Sequence, residues 1–212
     1  MSNPKQLTFP WSKENKSSFD SFYTTKLNKQ LLFLLKEEAT KDDLLIYGAK
    51  DSGKTYLLQA ICNQFNNQGK SSFFLPMRQA IELSIDILDS LENIELVCVD
   101  GLESLVGNKA WEIALFNLIN RSFNSNNRLI FTSAQNIDDM NFELKDLDSR
   151  LRKIQSHELH SLADDDILSA LKHIANLRSI ELGSKEAQYL LTYANRNISD
   201  LVKILESLDQ LS

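Results

Sequence analysis

The sequence has little material for metal or disulfide chemistry. Only two cysteines and three histidines occur among its 212 residues, and none of them has the spacing of a metal-binding motif. Cys62 falls in an apolar helical stretch and Cys98 in an apolar strand, so we expect two buried free thiols in a reducing compartment. His157, His160 and His173 have no nucleophile partner, and we expect them to be surface or interface residues.

An excess of basic residues is also missing. The net charge is −6, from 23 Lys and Arg against 29 Asp and Glu, whereas broad electrostatic binding to DNA needs a basic face that displaces counterions. A local basic patch remains allowed. No signal peptide precedes the first predicted element, and no apolar run approaches the ~20 residues that span a bilayer. We therefore expect a cytoplasmic protein with no membrane interaction and, at 42% hydrophobic residues, a real core.

A glycine loop between an apolar run and a helical stretch is the most informative feature that is present. Leu44–Tyr47 leads into Gly48-Ala-Lys-Asp-Ser-Gly53-Lys54-Thr55, which fits the pattern G-x-x-x-x-G-K-[ST]. The glycines allow a sharp turn that directs N–H groups at one phosphate chain, and the helix adds its positive dipole end. Lys54 could reach the outer phosphates, and the Thr55 hydroxyl could bind Mg²⁺. A chance match is the alternative, but the flanking strand and helix favour binding of ATP or ADP.

A carboxylate at the end of a neighbouring strand would help to hold the Mg²⁺ shell. Asp100 follows the apolar run Leu96–Val99, and we predict that its carboxylate helps to hold Mg²⁺. The alternative is that this Asp only ends the strand and has a turn role. Hydrolysis also needs a group that orients water. Gly101 cannot provide one, and Glu103 would have to approach from the following turn. The predicted nucleotide-binding residues are Gly48, Ala49, Lys50, Asp51, Ser52, Gly53, Lys54, Thr55, Tyr56 and Asp100, with Thr55 and Asp100 holding Mg²⁺.

Strands and helices alternate over the first three quarters of the chain. The pattern predicts strands at 44–47, 72–75, 95–100 and 128–132, with a further short strand fitting 154–156. It predicts helices at 24–38, 55–66 and 108–123, and one after Pro76 with Ile81, Ile85 and Leu88 on a single face. This alternation predicts an α/β fold of three layers around a parallel sheet.

The last part of the chain has a different pattern. Three helices fit 163–178, 184–194 and 197–211, and no strand is visible there. We therefore expect three units: a flexible polar arm at 1–18, a nucleotide-binding α/β domain at 19–160, and a shortened all-helical lid at 161–212.

Several motifs, in this order, resemble the AAA+ family over almost the whole chain. Within it the chain is similar to the DnaA-type replication initiators and, more closely, to the shorter Hda group, the regulatory inactivators of the initiator. Residues 19–23 look like the box beside the adenine pocket, and the glycine loop 48–55 is the family's P-loop. The other similar segments are 96–103, 111–116, 147–151 and 205–211. It implies a three-layer P-loop AAA+ domain followed by a small helical lid.

The arm carries the segment Gln6, Leu7, Thr8, Phe9 and Pro10. Large apolar groups on a polar arm are costly to leave in water, so the segment either packs back on its own domain or docks on a partner. It resembles the pentapeptide by which Hda-type proteins hold the DNA polymerase sliding clamp. The resemblance therefore implies a clamp partner, and a homodimer would present two such arms.

The segment 147–151 matches the box that carries an arginine finger, and Arg150 is the matching residue. The resemblance implies that Arg150 acts in trans on ATP held by the initiator DnaA, stimulating its hydrolysis and preventing re-initiation of chromosome replication. The alternative is a salt bridge from Arg150 to Asp146 or Asp148. Arg152 and Lys153 could extend a basic edge there, although an ordinary solvated face is equally compatible with the sequence.

The sequence departs from the initiator pattern where a γ-phosphate would be sensed. Ala134 stands at the sensor position after the fourth strand, Ser199 stands where the lid should present an Arg, and Arg196 is out of register by about one helical turn. Gly101, directly after Asp100, stands where the initiator pattern has a second acidic residue, so the side chain that would orient the attacking water is missing. We therefore expect ADP to bind about as readily as ATP, with weak intrinsic ATPase activity. No helix-turn-helix reading domain is visible, so sequence-specific DNA binding is not expected. The alternative is an AAA+ ATPase acting as an initiation factor or helicase loader.

Overall fold

A parallel sheet of five strands forms the centre of the α/β part of the chain. The computed structural model describes residues 17–37, 42–125, 127–193 and 198–209. The strands are β1 Leu44–Tyr47, β2 Ser72–Pro76, β3 Leu96–Asp100, β4 Arg128–Ser133 and β5 Gln155–Glu158. Their order across the sheet is β2-β3-β4-β1-β5, and all neighbouring pairs are parallel. The predicted α/β class with a parallel sheet is confirmed.

Helices cover both faces of this sheet and form the lid. In the α/β part they are α1 Lys29–Lys36, α2 Lys54–Asn67, α3 Met77–Ala80, α4 Lys109–Ser122 and α5 Lys145–Leu151. The lid contains α6 Asp164–Leu177, α7 Ser184–Tyr193 and α8 Ile198–Asp209. In the described ranges, no helix has both the length and the apolar character that crossing a membrane would need.

Two hydrophobic cores lie on opposite faces of the sheet because neighbouring strand residues point in opposite directions. On one face Leu45 packs in a core shared with α4 and α5. On the other face Leu44 and Ile46 pack in a core shared with α1 and α2. Cys62 and Cys98 belong to this second core and are buried free thiols, as predicted. The lid helices pack around a third core of their own.

The helix predicted after Pro76 is wrong in its extent. Only Met77–Ala80 forms an α-helical turn, and the chain continues in short 3₁₀ turns at Ile85–Leu88 and Leu91–Asn93. Ser84 starts the first 3₁₀ turn, since its hydroxyl accepts a hydrogen bond from the Asp86 N–H at 3.3 Å. Ser90 adopts a φ of 65°, which ends any helix at that point. Local side-chain hydrogen bonds therefore override the apolar periodicity.

The start of the domain also differs from the prediction. The Asn63 side-chain amide donates to the Ser17 carbonyl at 2.8 Å, and the Ser18 N–H donates to the Tyr56 hydroxyl at 3.2 Å. Residues 17 and 18 thus lie against α2 and do not belong to the arm that was predicted to reach residue 18. The clamp motif Gln6–Pro10 lies outside the described residues.

A buried carboxylate fixes the beginning of α5. Glu112 is fully buried on α4, where one oxygen accepts from the Gly107 N–H at 3.0 Å and the other accepts from the Leu144 N–H at 2.7 Å. Leu144 is the residue that precedes α5. Because both backbone donors are satisfied by one side chain, the position of α5 is tied to that of α4.

Candidate functional site

The P-loop follows β1, at the carboxyl end of the sheet, and leads into α2. Gly53 has a φ of 102° and Asp51 a φ of 64°, so the loop uses left-handed backbone at two positions. A Cβ on Gly48 would lie 2.5 Å from the Leu159 carbonyl oxygen, and a Cβ on Gly53 would lie 2.8 Å from the Phe22 ring. Both glycines are therefore required by close contacts that the motif alone does not indicate. Ser52 is buried, and Ala49, Lys50 and Asp51 are exposed.

Lys54 lies inside the loop. Its ammonium donates to the carbonyl oxygens of Gly48 at 2.7 Å and Ala49 at 2.8 Å. Burial lowers the pKa of Lys54, while the carboxylates of Glu103 and Asp100 act in the opposite direction. The loop carbonyls thus hold the ammonium at the mouth of the P-loop, where it faces the carboxylates of the neighbouring strand ends.

Asp100, the last residue of β3, is hydrogen-bonded both to the start of α2 and to β4. The Thr55 hydroxyl donates to one of its carboxylate oxygens at 2.8 Å, and the Thr132 hydroxyl donates to the other at 2.5 Å. The Gly101 N–H in turn donates to the Thr132 hydroxyl at 3.0 Å. Thr132 was not predicted as a site residue. It lies on β4, the strand between β3 and β1, and it fixes the orientation of the Asp100 carboxylate.

The residues present fit a shared Mg²⁺ site. The Thr55 hydroxyl and the Asp100 carboxylate are adjacent hard oxygen donors, the type that Mg²⁺ prefers. In the part of the chain that the structure describes, no group of three His, Cys, Asp or Glu side chains could hold a metal ion by itself. A Mg²⁺ ion here would therefore depend on phosphate and water oxygens for the rest of its shell.

Glu103 lies closer to the site than the sequence required. One oxygen of its carboxylate accepts from the Ala134 N–H at 3.0 Å, and the other is 3.7 Å from the place where a Gly101 Cβ would be. The 3₁₀ turn Leu102–Leu105, which begins after the left-handed Gly101, brings it back over the strand ends. The Glu103 carboxylate thus lies between Gly101 and Ala134, the two positions that lack functional side chains. The spacing of three residues after Asp100 was the available sequence signal.

The segment 19–23 lies beside the P-loop and contacts the lid. The Phe22 ring lies 6.0 Å from the Tyr56 ring, between centroids. Tyr23 meets His173 of α6 edge to face at 5.9 Å, and the His173 Nε2 lies 2.8 Å from the Asp20 carbonyl oxygen. His173 is therefore an interface residue, in agreement with the prediction. Of the two lid positions singled out in the sequence, Ser199 lies in the first turn of α8 and Arg196 is outside the described residues.

Arg150 lies near the end of α5, and it takes part in none of the salt bridges found among the described residues. Leu147 and Leu151 are fully buried and anchor the helix, while the Arg150 guanidinium lies over the Phe123 ring, 5.9 Å from its centroid. Among the described residues, the salt bridges of this segment belong to Arg152, which pairs with Asp138 and with Asp148, the latter at 3.1 Å. The alternative, a salt bridge from Arg150 to Asp146 or Asp148, is not found among the described residues, and Asp148 pairs with Arg152 instead.

Arg150 and the P-loop lie at opposite edges of the sheet. Leu44 at the start of β1 pairs with Gln155 at the start of β5, four residues beyond the end of α5. Phe123, which Arg150 contacts, lies between the end of α4 and the start of β4. Both connections therefore place Arg150 at the amino edge of the sheet, whereas the P-loop follows the carboxyl end of β1. Arg150 does not contribute to its own chain's P-loop.

The fold and the site together define the class of the protein. A P-loop after β1, an acidic residue at the end of β3, a parallel five-stranded sheet and a helical lid are the features of an AAA+ nucleotide-binding fold. AMPPCP-bound DnaA from Aquifex aeolicus superimposes with a TM-score of 0.76 at 20% identity, over 91% of this chain and 66% of that chain. Domain III of Thermotoga maritima DnaA gives 0.73 at 18% identity, over 89% and 85%. This chain thus spans just under two thirds of the Aquifex structure.

Sequence comparison identifies the family. A model of the bacterial DnaA ATPase domain matches residues 14–160, and a model of the Hda lid domain matches residues 164–212. An uncharacterized protein of Haemophilus influenzae is 33% identical over 214 residues, covering 98% of this chain and 91% of that protein. The chain belongs to the DnaA-related AAA+ family, with a lid of the Hda type, and is a DnaA-related replication regulator.

The contact between Gly53 and Phe22 can be separated from backbone strain. Gly53→Ala should destabilise the fold by about 1–3 kcal/mol more than Gly69→Ala, because a Cβ would be 2.8 Å from the Phe22 ring at Gly53 but would meet nothing within 4 Å at Gly69. Both glycines have positive φ, 102° at Gly53 and 74° at Gly69, so left-handed strain contributes to the cost of both alanines. Urea unfolding measures the difference, and Phe22→Ala should reduce it. Equal costs for the two alanines would contradict the role assigned to the ring.

Proposed function

We propose that this protein binds the DNA polymerase sliding clamp and stimulates ATP hydrolysis by the replication initiator DnaA, so that chromosome replication does not restart. In this role the chain acts in the cytoplasm as an activator of another protein's ATPase. Two copies would present two arms to a ring-shaped clamp, and a homodimer is therefore part of the proposal. Sequence-specific DNA contacts and membrane binding play no part in it.

The position of Arg150 is the observation that carries the proposal. The guanidinium is at the amino edge of the sheet, away from its own P-loop, and its charge is not neutralised by a carboxylate of the described residues. An arginine finger must be free to enter the nucleotide site of a neighbouring molecule. There its planar fork of donors would stabilise the charge that develops on the transferred phosphoryl group.

The P-loop would hold a nucleotide of its own. Loop N–H groups from Gly48 to Thr55, together with Lys54, would bind the inner phosphates. Mg²⁺ held near Thr55 and Asp100 would neutralise phosphate charge. The segment with Phe22 and Tyr56 would border the base. Since Ala134 and Ser199 lack the side chains that sense a third phosphate, we propose that ADP is a regulatory ligand here.

A second function is favoured by Glu103. A carboxylate that accepts from the Ala134 N–H and lies near Gly101 is placed where it could orient an attacking water. With that residue active, the chain would be an ATPase in its own right, as an initiation factor or helicase loader would need to be. This hypothesis does not explain why Arg150 lies away from the P-loop of its own chain, and we rank it second.

Arg150→Ala should fold normally, still bind nucleotide and clamp, and lose stimulation of the initiator by on the order of 10³-fold. Arg150→Lys should fail nearly as badly, because lysine keeps the charge but loses the planar fork. The assay is conversion of initiator-bound ATP to ADP with clamp loaded on DNA. Arg152→Ala is the matched control, since Arg152 is engaged by Asp138 and Asp148. Full stimulation by Arg150→Ala would remove this residue from the mechanism.

The protein should bind ADP with an affinity equal to or better than that for ATP and release phosphate very slowly by itself. Lys54→Ala should weaken both nucleotides at least about tenfold, because the ammonium that would face the phosphates is lost. Calorimetry with each nucleotide and a steady-state phosphate-release assay measure these quantities. Brisk phosphate release that disappears in both Lys54→Ala and Glu103→Gln would instead support the independent ATPase.

Clamp binding should depend on the arm. Alanine at both Gln6 and Phe9 should abolish binding to the sliding clamp, because the Gln amide and the Phe ring would fill its groove. A single arm should bind with a dissociation constant on the order of micromolar, since ordering the arm costs conformational entropy. Ser12→Ala, outside the motif, is the control, and the thermal midpoint should not change in either variant. Undiminished binding by the double variant would show that the clamp contact lies elsewhere.

A further inference from the structure

Phe123 is an aromatic side chain in an unusual environment. It follows α4 directly, and 79% of its surface is exposed, the largest exposed fraction among the large hydrophobic side chains of the described residues. Its neighbours on the inner side of α4, such as Leu118 and Ile119, are buried. Burying a phenylalanine favours folding, so a ring left in solvent at this point does not serve the core.

Within the described ranges, the ring makes a cation–aromatic contact with Arg150. The guanidinium carbon lies 5.9 Å from the ring centroid, within the distance at which a cation is attracted by the electron-rich face of an aromatic ring. The two residues are held by different elements. Arg150 is on α5, which is anchored by Leu147 and Leu151, and Phe123 follows α4, to which α5 is tied by Glu112. The contact is therefore built by the packing of two helices.

Arg152 shows how a carboxylate, in place of an aromatic ring, would affect an arginine at this position. Its guanidinium is held by two carboxylates, which occupy N–H donors and neutralise its charge. A ring face attracts the flat side of a guanidinium and leaves the N–H groups at its edge unoccupied. At 5.9 Å the Phe123 ring is placed to attract the Arg150 guanidinium without accepting the N–H hydrogen bonds that a phosphate would need.

We propose that Phe123 is a positioning residue for Arg150: the ring holds the guanidinium extended at the amino edge of the sheet, ready for the partner's nucleotide. This inference rests on the proposed function of Arg150 and assigns a role to a residue outside the arginine box. An unrestrained arginine carries considerable rotamer entropy, and part of that entropy would be lost on entering the partner site. Prior restraint by the ring reduces that loss, so Phe123 acts on the rate at saturation.

The test measures stimulated hydrolysis of initiator-bound ATP, with clamp on DNA, as a function of the concentration of this protein. Phe123→Ala and Phe123→Leu should lower the maximal rate roughly two- to fivefold, the range that an exposed cation–aromatic contact supports, and should leave the half-saturating concentration unchanged. Phe123→Trp should retain the full rate, since the ring face is kept. In an Arg150→Ala background, Phe123→Ala should have no further effect.

Other outcomes overturn the proposal. A raised half-saturating concentration with an unchanged maximal rate would make Phe123 a docking contact. A full maximal rate for Phe123→Leu, alongside a strong loss in Arg150→Ala, would remove its positioning role while leaving the proposed function standing. Full stimulation by Arg150→Ala would reject the proposed function instead.

A readout that does not depend on the initiator decides whether the contact exists. The ring should shift the Arg150 side-chain proton resonances upfield, and Phe123→Leu should abolish that shift while leaving the thermal midpoint close to that of the wild type. If the Arg150 resonances are the same in both proteins, the guanidinium does not lie over the ring and the proposal is wrong.

Discussion

The parallel alignment of all five strands is the constraint on which the functional geometry depends. Because all four neighbouring strand pairs are parallel, every strand ends at one edge of the sheet and begins at the other. The P-loop, Asp100 and Glu103 follow strand ends and meet at the first edge. Arg150 and Phe123 precede strand starts and meet at the second. One molecule therefore carries its P-loop and Arg150 at opposite edges of the sheet.

The parts of the fold that depend on local periodicity could be predicted from the sequence. The lid helices predicted at 163–178, 184–194 and 197–211 are found at Asp164–Leu177, Ser184–Tyr193 and Ile198–Asp209, because each has an apolar face that recurs with the helical period. The prediction was wrong after Pro76, where Ser84 and Ser90 break the helix by a local hydrogen bond and a left-handed backbone. Both serines are ordinary surface residues in the sequence, and their effect is a matter of backbone geometry that periodicity does not encode.

The candidate site divides in the same way. The P-loop could be predicted since its residues are consecutive, and Asp100 since it ends an apolar run. Thr132 could not be assigned, because its role depends on the register between β3 and β4. Glu103 had only its spacing after Asp100 as a signal, since its position depends on the 3₁₀ turn after Gly101. Val99 pairs with Phe131, and the next residues along each strand are Asp100 and Thr132, which brings the hydroxyl to the carboxylate. The contact between Phe123 and Arg150 likewise joins residues from two helices, and only helix packing brings them together.

The close approach of Gly48 to Leu159 has a thermodynamic consequence. The Leu159 N–H donates to the Tyr47 carbonyl at 2.7 Å, and its own carbonyl oxygen lies where a Gly48 side chain would be. Leu159 follows β5 and begins the connection to the lid, so the first residue of the phosphate loop and the root of the lid share one set of contacts. This shared contact is a route by which the shape of the loop and the angle of the lid would be coupled. The coupling free energy by which a bound nucleotide would bias the lid must then equal that by which a tilt of the lid would change nucleotide affinity.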